Sequence, residues 1–225
     1  MRSLIFGILA FMAAISTAVT YDIPKQPFPE ESPPFKLVLL SSNSSLDGMT
    51  LFACRQVILT DSLCTVNSRD MPHMGRPVPD TPRVTTFHLN YTTEPEATHQ
   101  QVSPDLGVEG ILTRHYANYY TDWMPASMRL GYTRAGHAVT LFRGGQERAT
   151  VVGFDKEDKL FLWGRDDGSL MPQHEVTEDE CYTAVYHWYV CMTKWMTEFE
   201  TVVWSSGDKP DDPTCQKVDI KRVFI

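Results

Sequence analysis

The segment Lys217-Val218-Asp219-Ile220-Lys221-Arg222-Val223-Phe224 indicates the fold class of this chain. Its side chains alternate, with Val218, Ile220, Arg222 and Phe224 on one face and Lys217, Asp219, Lys221 and Val223 on the other. A period of two is typical of a β-strand that buries one of its faces. We therefore predict a strand over Lys217 to Phe224.

Comparable runs recur along the chain. Phe35 to Leu40 is β-prone, and the Asp47-Gly48 dipeptide after it favours a tight turn with Met49 to Leu59 as the return strand. Val84 to Tyr91 alternates in the same way as the C-terminal segment. The remaining strand candidates are Gly110 to His115, Ser127 to Tyr132, Ala138 to Phe142, Ala149 to Phe154, Leu160 to Trp163, Cys181 to Met192 and Phe199 to Trp204. Spacings of about 8–12 residues predict an all-β fold, a single antiparallel sandwich or barrel of about ten short strands.

The stretch Thr177 to Met196 fits two structures. Thr177-Glu178-Asp179-Glu180 has the form of a helix capping box, and Tyr182, Val185, Tyr186 and Tyr189 follow at helical spacing. The same stretch is dense in Tyr, Trp, Val and Thr, which favour a pleated surface. We predict a strand here.

The first residues are typical of a secretory signal peptide. Arg2 precedes an uncharged apolar run from Leu4 to Ile15, and Ser16-Thr17-Ala18 offers the small residues of a cleavage site. The run is shorter than the roughly 18 residues of a membrane span. We predict a signal peptide over residues 1–18 with cleavage after Ala18 or Thr20, a proline-rich arm over 19–34, and a β-rich domain over 35–225. The product is expected to be secreted, with no membrane span.

Composition narrows the function classes. The chain of 225 residues carries 20 Lys and Arg against 28 Asp and Glu, which gives a formal net charge of −8. Clustered cations, which a nucleic-acid binder needs, are not apparent. A hydrophobic fraction of 42% and a charged fraction of 21% are ordinary globular values.

A protein that enters the secretory pathway can form disulfides and receive N-linked glycans. Of the five cysteines, Cys54 with Cys64 and Cys191 with Cys215 are the pairs that we expect. Cys181 is then a buried free thiol, an intermolecular link or the true partner of Cys191. Asn43-Ser44-Ser45 and Asn90-Tyr91-Thr92 are sequons, so Asn43 and Asn90 are candidate glycosylation sites.

Aromatic side chains supply the strongest candidate ligand site. Aromatics with a polar tip suit a pocket for an apolar or sugar-like molecule, although plain core packing uses the same residues. One aromatic cluster is formed by Tyr116, Tyr119, Tyr120 and Trp123, and Arg114 and His115 are the polar groups expected beside it. The candidate ligand-binding residues are Arg114, His115, Tyr116, Tyr119, Tyr120, Trp123, Tyr186 and Trp188.

Motifs of known chemistry are not apparent in the sequence. It contains no C-x-x-C, H-x-H, H-E-x-x-H or G-x-S-x-G pattern, so it indicates no metal, no cofactor and no α/β-hydrolase nucleophile. His187 lies among aromatics in Tyr186-His187-Trp188 and is the one candidate general base. A hydrogen-bonded histidine on a half-buried strand is the alternative interpretation.

Three segments carry a resemblance to a known family. The first contains Phe35 to Leu39, Asn43, Leu46 to Gly48, Ala53-Cys54 and Leu63-Cys64. The second contains Gly110 to Thr113 and Pro125 to Met128, and the third contains Trp188 to Cys191, Trp204, Gly207 to Pro210 and Pro213 to Phe224. In these segments the chain resembles an uncharacterised family of secreted fungal proteins whose domain has no assigned function. The resemblance implies a β-rich fold and the Cys54–Cys64 and Cys191–Cys215 pairs, but no reaction. The chain departs from the family at Arg55, where a histidine is usual, and at Cys181.

Three functional hypotheses follow. The first is a secreted glycoprotein acting as a binding or host-interaction module, with an aromatic-lined site for a hydrophobic or sugar-like molecule. The second is a secretory-pathway enzyme of the cyclase or isomerase type, which orients a reactive intermediate in an apolar pocket. The third, a structural protein of a cell wall, lacks the Ser/Thr-rich tracts that such proteins carry.

Overall fold

The computed structural model of this chain describes residues 28–57, 59–65, 82–93, 107–116, 124–133, 136–165, 169–170, 183–194, 198–207 and 209–225. The described residues form fifteen strands and one helical turn, α1 (Pro82–Thr85). The strands are β1 (Glu30–Glu31), β2 (Phe35–Leu40), β3 (Phe52–Val57), β4 (Thr60–Cys64), β5 (His88–Tyr91), β6 (Val108–Tyr116), β7 (Met124–Tyr132), β8 (His137–Gly144), β9 (Val151–Phe154), β10 (Leu160–Gly164), β11 (Thr183–Val185), β12 (Trp188–Lys194), β13 (Glu198–Ser205), β14 (Gln216–Lys217) and β15 (Asp219–Phe224).

Thirteen of these strands form one large antiparallel sheet. Its main path is β11-β10-β9-β6-β7-β8-β4-β13-β12-β14, while β5 joins β6, β1 joins β5 and β3 joins β4. The sheet curls into a half-barrel. The predicted all-β class is therefore confirmed. The strand count exceeds the prediction partly because β1, β11 and β14 have only two or three residues.

Strands β2 and β15 form a separate ribbon that bonds to the large sheet along both of its edges. They pair from Phe35 with Phe224 to Leu40 with Asp219. On the β2 side, Phe35 and Phe87 exchange two backbone hydrogen bonds of 3.0 and 2.9 Å. On the β15 side, the Val218 amide donates to the Trp188 carbonyl, at 3.1 Å, and the Arg222 amide to the Asp158 carbonyl, at 2.9 Å.

The apolar face of the ribbon forms part of the main core. Phe35, Leu37 and Leu39 are fully buried, as is Ile220 on β15. They pack against inward side chains of the curled sheet: Leu112, Met128, Phe142, Val152, Phe154, Trp188, Val202 and Trp204. The predicted alternation of the C-terminal strand is confirmed at Val218 and Ile220, whereas Phe224 is 49% exposed at the end of the ribbon.

Two local predictions are only partly confirmed. Gly48 has a positive φ of 76°, and the chain after it returns alongside β2. The Met49 carbonyl accepts a hydrogen bond from the Leu39 amide, and the pairing ends where the Leu51 amide donates to the Leu37 carbonyl. The chain then continues as β3, which pairs with β4 instead. Val84 belongs to α1, which begins at Pro82, a residue whose fixed φ suits the first position of a helix. The predicted strand from Val84 to Tyr91 therefore begins only at β5.

The strand interpretation of Thr177 to Met196 is confirmed where the structure describes it. Residues 183–185 and 188–194 are strands β11 and β12. The capping-box residues 177–180 and Cys181 lie outside the described residues, as do the predicted signal peptide and most of the proline-rich arm. Among the described residues, no helix is long and apolar enough to cross a membrane.

Both predicted disulfides are confirmed. Cys54–Cys64 crosslinks β3 to β4, and Cys191–Cys215 joins β12 to the segment before β14. The sulfurs lie in a second apolar cluster on the face of the sheet opposite the main core, with Val139, Leu141, Tyr189, Phe199 and Val203.

Replacing either cysteine pair with serine is expected to destabilise the protein by about 3 kcal/mol, because each crosslink restricts the unfolded chain. The Cys191→Ser/Cys215→Ser variant should lose more than Cys54→Ser/Cys64→Ser, since its loop spans 24 residues rather than 10. Chemical denaturation measures both losses. Mass mapping that found these thiols reduced in the wild-type protein would contradict the pairing.

Gly153→Ala is expected to destabilise the protein by about 1–3 kcal/mol through overpacking. Gly153 lies opposite Phe161, and a Cβ there would come within 2.1 Å of the Phe161 ring. Gly207→Ala is the matched control, because a Cβ there meets no atom within 4 Å. Thermal unfolding of the two variants tests the difference, and equal losses would refute the proposed steric cause.

Candidate functional site

Arg114 and His115 face opposite sides of the sheet because they are neighbours on β6. Arg114 is 4% exposed and points to the same side as Leu112 of the main core, whereas the His115 side chain is 25% exposed on the other side. They therefore do not line a common pocket. Tyr116 is the last residue of β6, and Tyr119, Tyr120 and Trp123 lie outside the described residues.

Arg114 forms a buried ion pair with Asp61 of β4. Its Nη1 donates to Oδ2 of Asp61, and Nε of Arg55 donates to Oδ1 of the same carboxylate. Strands β7 and β8 separate β6 from β4, so the Arg114 side chain reaches across them. Its direct neighbour on β7 is Ala126, whose small side chain leaves room for this crossing. The side chains of Arg114 and Asp61 are only 5% and 3% exposed, so we assign the pair a structural role.

Trp188 is a central core residue. It is fully buried, its indole N–H donates to the Leu160 carbonyl at 2.8 Å, and its ring packs edge-on against Trp204 at 4.9 Å. The His187 ring also packs against Trp204, in a stacked arrangement with the ring centroids 5.7 Å apart. This neighbourhood corresponds to the core-packing interpretation of the aromatic cluster. Tyr186 points elsewhere and packs against Phe161.

His115 belongs to a small cluster with His88 of β5 and Glu31 of β1. The two imidazole rings are 5.1 Å apart, and Glu31 approaches His88 Nδ1 at 3.4 Å and His115 Nε2 at 3.3 Å. Each ring contacts a different oxygen of the carboxylate. No group of three or more His, Cys, Asp or Glu side chains in the described part of the chain is arranged to hold a metal ion. The cluster therefore ties the end of the N-terminal arm to the sheet.

The candidate sequon asparagines differ in their surroundings. Asn43 lies in the loop after β2, where its Oδ1 accepts hydrogen bonds from the Ser45 amide, at 2.9 Å, and the Ser45 hydroxyl, at 2.8 Å. Asn90 lies within β5, paired with both β1 and β6, and its Oδ1 accepts a hydrogen bond of 2.5 Å from Thr113.

A cleft of about 370 Å³ opens where the β2–β15 ribbon meets β10 and β14. Its lining combines aliphatic side chains with hydroxyls, two ammonium groups and a carboxylate. The lining residues are Leu40, Ser41, Ser42, Lys159, Lys217, Val218 and Asp219. We refer to these seven residues as the ribbon cleft.

Charges in the ribbon cleft are largely balanced. The Lys159 ammonium lies 3.3 Å from Glu157 and 3.5 Å from Asp219, and these carboxylates raise its pKa, mainly through the hydrogen bond to Glu157. Partial burial lowers the pKa of Lys217, against the opposing effect of Asp219. The Lys217 ammonium also lies 5.1 Å from the centre of the Tyr189 ring.

Of the predicted ligand residues whose side chains the structure describes, Tyr186 is the one that borders the ribbon cleft. Its backbone carbonyl accepts a hydrogen bond from the Lys217 ammonium, and its phenol donates to Asp155 at 2.8 Å. Burial raises the pKa of the Tyr186 phenol, and the hydrogen bond to Asp155 adds to the effect. The Tyr186 phenol therefore remains a neutral hydrogen-bond donor, and the Tyr186 carbonyl holds the Lys217 ammonium in place.

Sequence reasoning missed the polar residues of the ribbon cleft. Ser41 and Ser42 follow β2, Lys159 precedes β10, and Lys217 and Asp219 lie in the last two strands. No local pattern joins them, because only the pairing of β2 with β15 brings these segments together. Comparisons with protein-family models, curated proteins and solved structures found no match for this chain.

Arg114→Met is expected to destabilise the protein by about 3–5 kcal/mol, because it leaves the buried Asp61 carboxylate without its main partner. Asp61→Asn combined with Arg114→Met should lose less than the sum of the two single variants. Arg55→Met is the control: Arg55 is 43% exposed, and its loss should cost about 0–1 kcal/mol. Urea titration of the four variants measures these values, and an Arg55→Met loss equal to that of Arg114→Met would refute the assignment.

Proposed function

We propose that the chain is a secreted binding protein and that the ribbon cleft holds a neutral, sugar-like ligand. The single observation that carries the ligand class is the lining of the cleft, which combines ammonium donors, hydroxyls and a carboxylate acceptor with the partly exposed aliphatic side chain of Leu40. Secretion is supported by the signal-peptide pattern of residues 1–18 and by the two disulfides, which persist in oxidising compartments. The resemblance to secreted fungal proteins points in the same direction.

A sugar hydroxyl both donates and accepts hydrogen bonds, so its site needs both kinds of partner. The ribbon cleft offers donors at Lys159 and Lys217, an acceptor at Asp219, and hydroxyls of both kinds at Ser41 and Ser42. Leu40, which is partly exposed, provides apolar surface for the C–H face of a ring. A small number of convergent polar groups over apolar surface is the usual composition of a small-molecule site.

Charge balance favours a neutral ligand over an acidic one. Both carboxylates that flank Lys159 compete with any bound anion for its ammonium group. Lys217 is already engaged with the Tyr186 carbonyl. The two ammonium groups can each donate a further hydrogen bond to a hydroxyl without losing these partners, because each carries three N–H groups.

The glycan site at Asn43 lies at the margin of the ribbon cleft. Asn43 directly follows Ser42, and its side-chain amide contacts Gln216, the neighbour of Lys217. A glycan attached to Asn43 would project from the surface next to the bound ligand. Binding is therefore best measured on glycosylated protein and on protein from which N-glycans have been removed.

An enzymatic function receives no comparable support. His187 stacks on Trp204 and is not among the residues that line the ribbon cleft. Trp188, the candidate ligand-binding residue next to His187, is fully buried. The described residues therefore favour a binding protein over a cyclase or isomerase.

Lys159→Ala and Lys217→Ala are each expected to weaken oligosaccharide binding about tenfold or more, since each removes a charged hydrogen-bond donor. A glycan array of neutral oligosaccharides identifies the probe, and calorimetry measures its Kd. Lys194→Ala, an exposed lysine outside the cleft, is the matched control and should bind as wild type.

Two results would overturn this proposal. One is the absence of saturable binding to every neutral oligosaccharide on the array by folded, deglycosylated protein. The other is binding that survives both cleft substitutions.

A further inference from the structure

Three arginines lie together where strands β7 and β8 meet the turn that follows β8. Arg129 belongs to β7, Arg143 to β8 and Arg148 to the turn. We refer to Arg129, Arg143 and Arg148 as the arginine patch. It is separate from the ribbon cleft and shares no residue with it.

Strand register places Arg129 and Arg143 on the same face of the sheet. Ser127 pairs with Arg143 and Arg129 pairs with Leu141, so the two arginines are diagonal neighbours. Diagonal neighbours on one face are within reach of long side chains. The side chains of both arginines therefore share the surface of this hairpin.

Arg129 is held in place by backbone carbonyls. Its Nη2 donates to the carbonyl of Gly144 at 2.9 Å and to that of Gly145 at 3.2 Å. Gly145 has a φ of 82°, a left-handed conformation that suits glycine and turns the chain toward Arg148. The same Gly145 carbonyl accepts a hydrogen bond from Ser127. The turn and the guanidinium thus fix each other.

The patch carries uncompensated positive charge. Burial lowers the pKa of Arg129, and the charges of Arg143 and Arg148 lower it further, whereas Glu147 has a weaker opposing effect. Arg143 and Arg148 are exposed, and their side chains form no ion pair or hydrogen bond with the rest of the described chain. Like charges that lie close together repel each other, so Arg143 and Arg148 add no stabilising ion pair to the turn that Arg129 holds.

We propose that the arginine patch binds the acidic groups, sulfate or carboxylate, of an extracellular polysaccharide. Guanidinium groups bind such oxyanions through two parallel N–H···O bonds. Arg129 orders the turn through its Nη2, and its Nε is buried, so the exposed Arg143 and Arg148 supply the guanidinium donors for the ligand. The patch contains only three arginines, whereas nucleic-acid binding draws its affinity from many phosphate contacts. A few acidic groups on an otherwise polar polysaccharide can be bound by so small a patch.

The test compares retention and affinity on two probes, a sulfated heparin-derived oligosaccharide and polygalacturonate, at physiological ionic strength. Wild-type protein should bind at least one of them, with an affinity that falls as salt rises. Arg143→Ala/Arg148→Ala should weaken this binding about tenfold or more. Both side chains are exposed, so the variant should keep the wild-type unfolding temperature. Arg143→Lys/Arg148→Lys, which keeps the charge but not the guanidinium, should bind with intermediate affinity.

The charge-matched control is Lys194→Ala/Lys209→Ala, which removes two exposed cations elsewhere and should bind as wild type. An equal loss in this control would show diffuse attraction to the whole protein and overturn the proposal. Absence of binding to both probes would do the same. Tighter binding to duplex DNA or to phosphatidylserine vesicles would exclude a polysaccharide as the partner. The cleft variants Lys159→Ala and Lys217→Ala leave the patch intact, so the two sites are tested independently.

Discussion

The pairing of β2 with β15 is the constraint on which the remaining structure depends. It joins the first long strand of the domain to the last one, and its apolar face occupies the concave side of the curled sheet. Without Phe35, Leu37 and Ile220, the inward side chains of the large sheet would face a void or water. Contacts between such distant segments require closure of a long loop, and the buried contacts of the ribbon must offset the entropy cost of that closure. Ribbon and sheet therefore stabilise each other.

The sequence predicted strands well wherever one face is buried and the other is not. Lys217 to Phe224 and Phe87 to Tyr91 alternate because they contribute one face to the core. β4 escaped detection because three of its five buried residues, Thr60, Asp61 and Ser62, are polar. β10 is equally buried but apolar, and it was predicted. The polar side chains of β4 are satisfied by partners that are distant in sequence, such as Arg114 for Asp61 and the Thr140 carbonyl for Ser62. A strand stabilised by tertiary partners leaves no periodic signal.

The functional prediction was limited in a similar way. Aromatic richness identified residues that matter to the molecule, but it did not distinguish a pocket from a packed core. Trp188 shows the difficulty, because a buried tryptophan with a satisfied N–H fits either interpretation until its neighbours are known. Arg114 and His115 were grouped by proximity in sequence, and the pleat of β6 sends them to opposite faces. The residues of the ribbon cleft are unremarkable one by one, and only strand pairing gives them a common position.

Charge placement separates the parts of this protein that maintain the fold from those available for binding. Inside the half-barrel, Asp61 and Arg114 neutralise each other, as buried charges must. In the ribbon cleft, Lys159 and Asp219 lie 3.5 Å apart at the surface, where such a pair adds little stability but offers a donor and an acceptor to a ligand. In the arginine patch, compensation is largely missing, and mutual repulsion is relieved only when an anion arrives. Because repulsion raises the free energy of the empty site, relief of that repulsion adds to the affinity for an anion. The degree of compensation is thus the physical ground on which we propose a neutral ligand for the cleft and an acidic one for the patch.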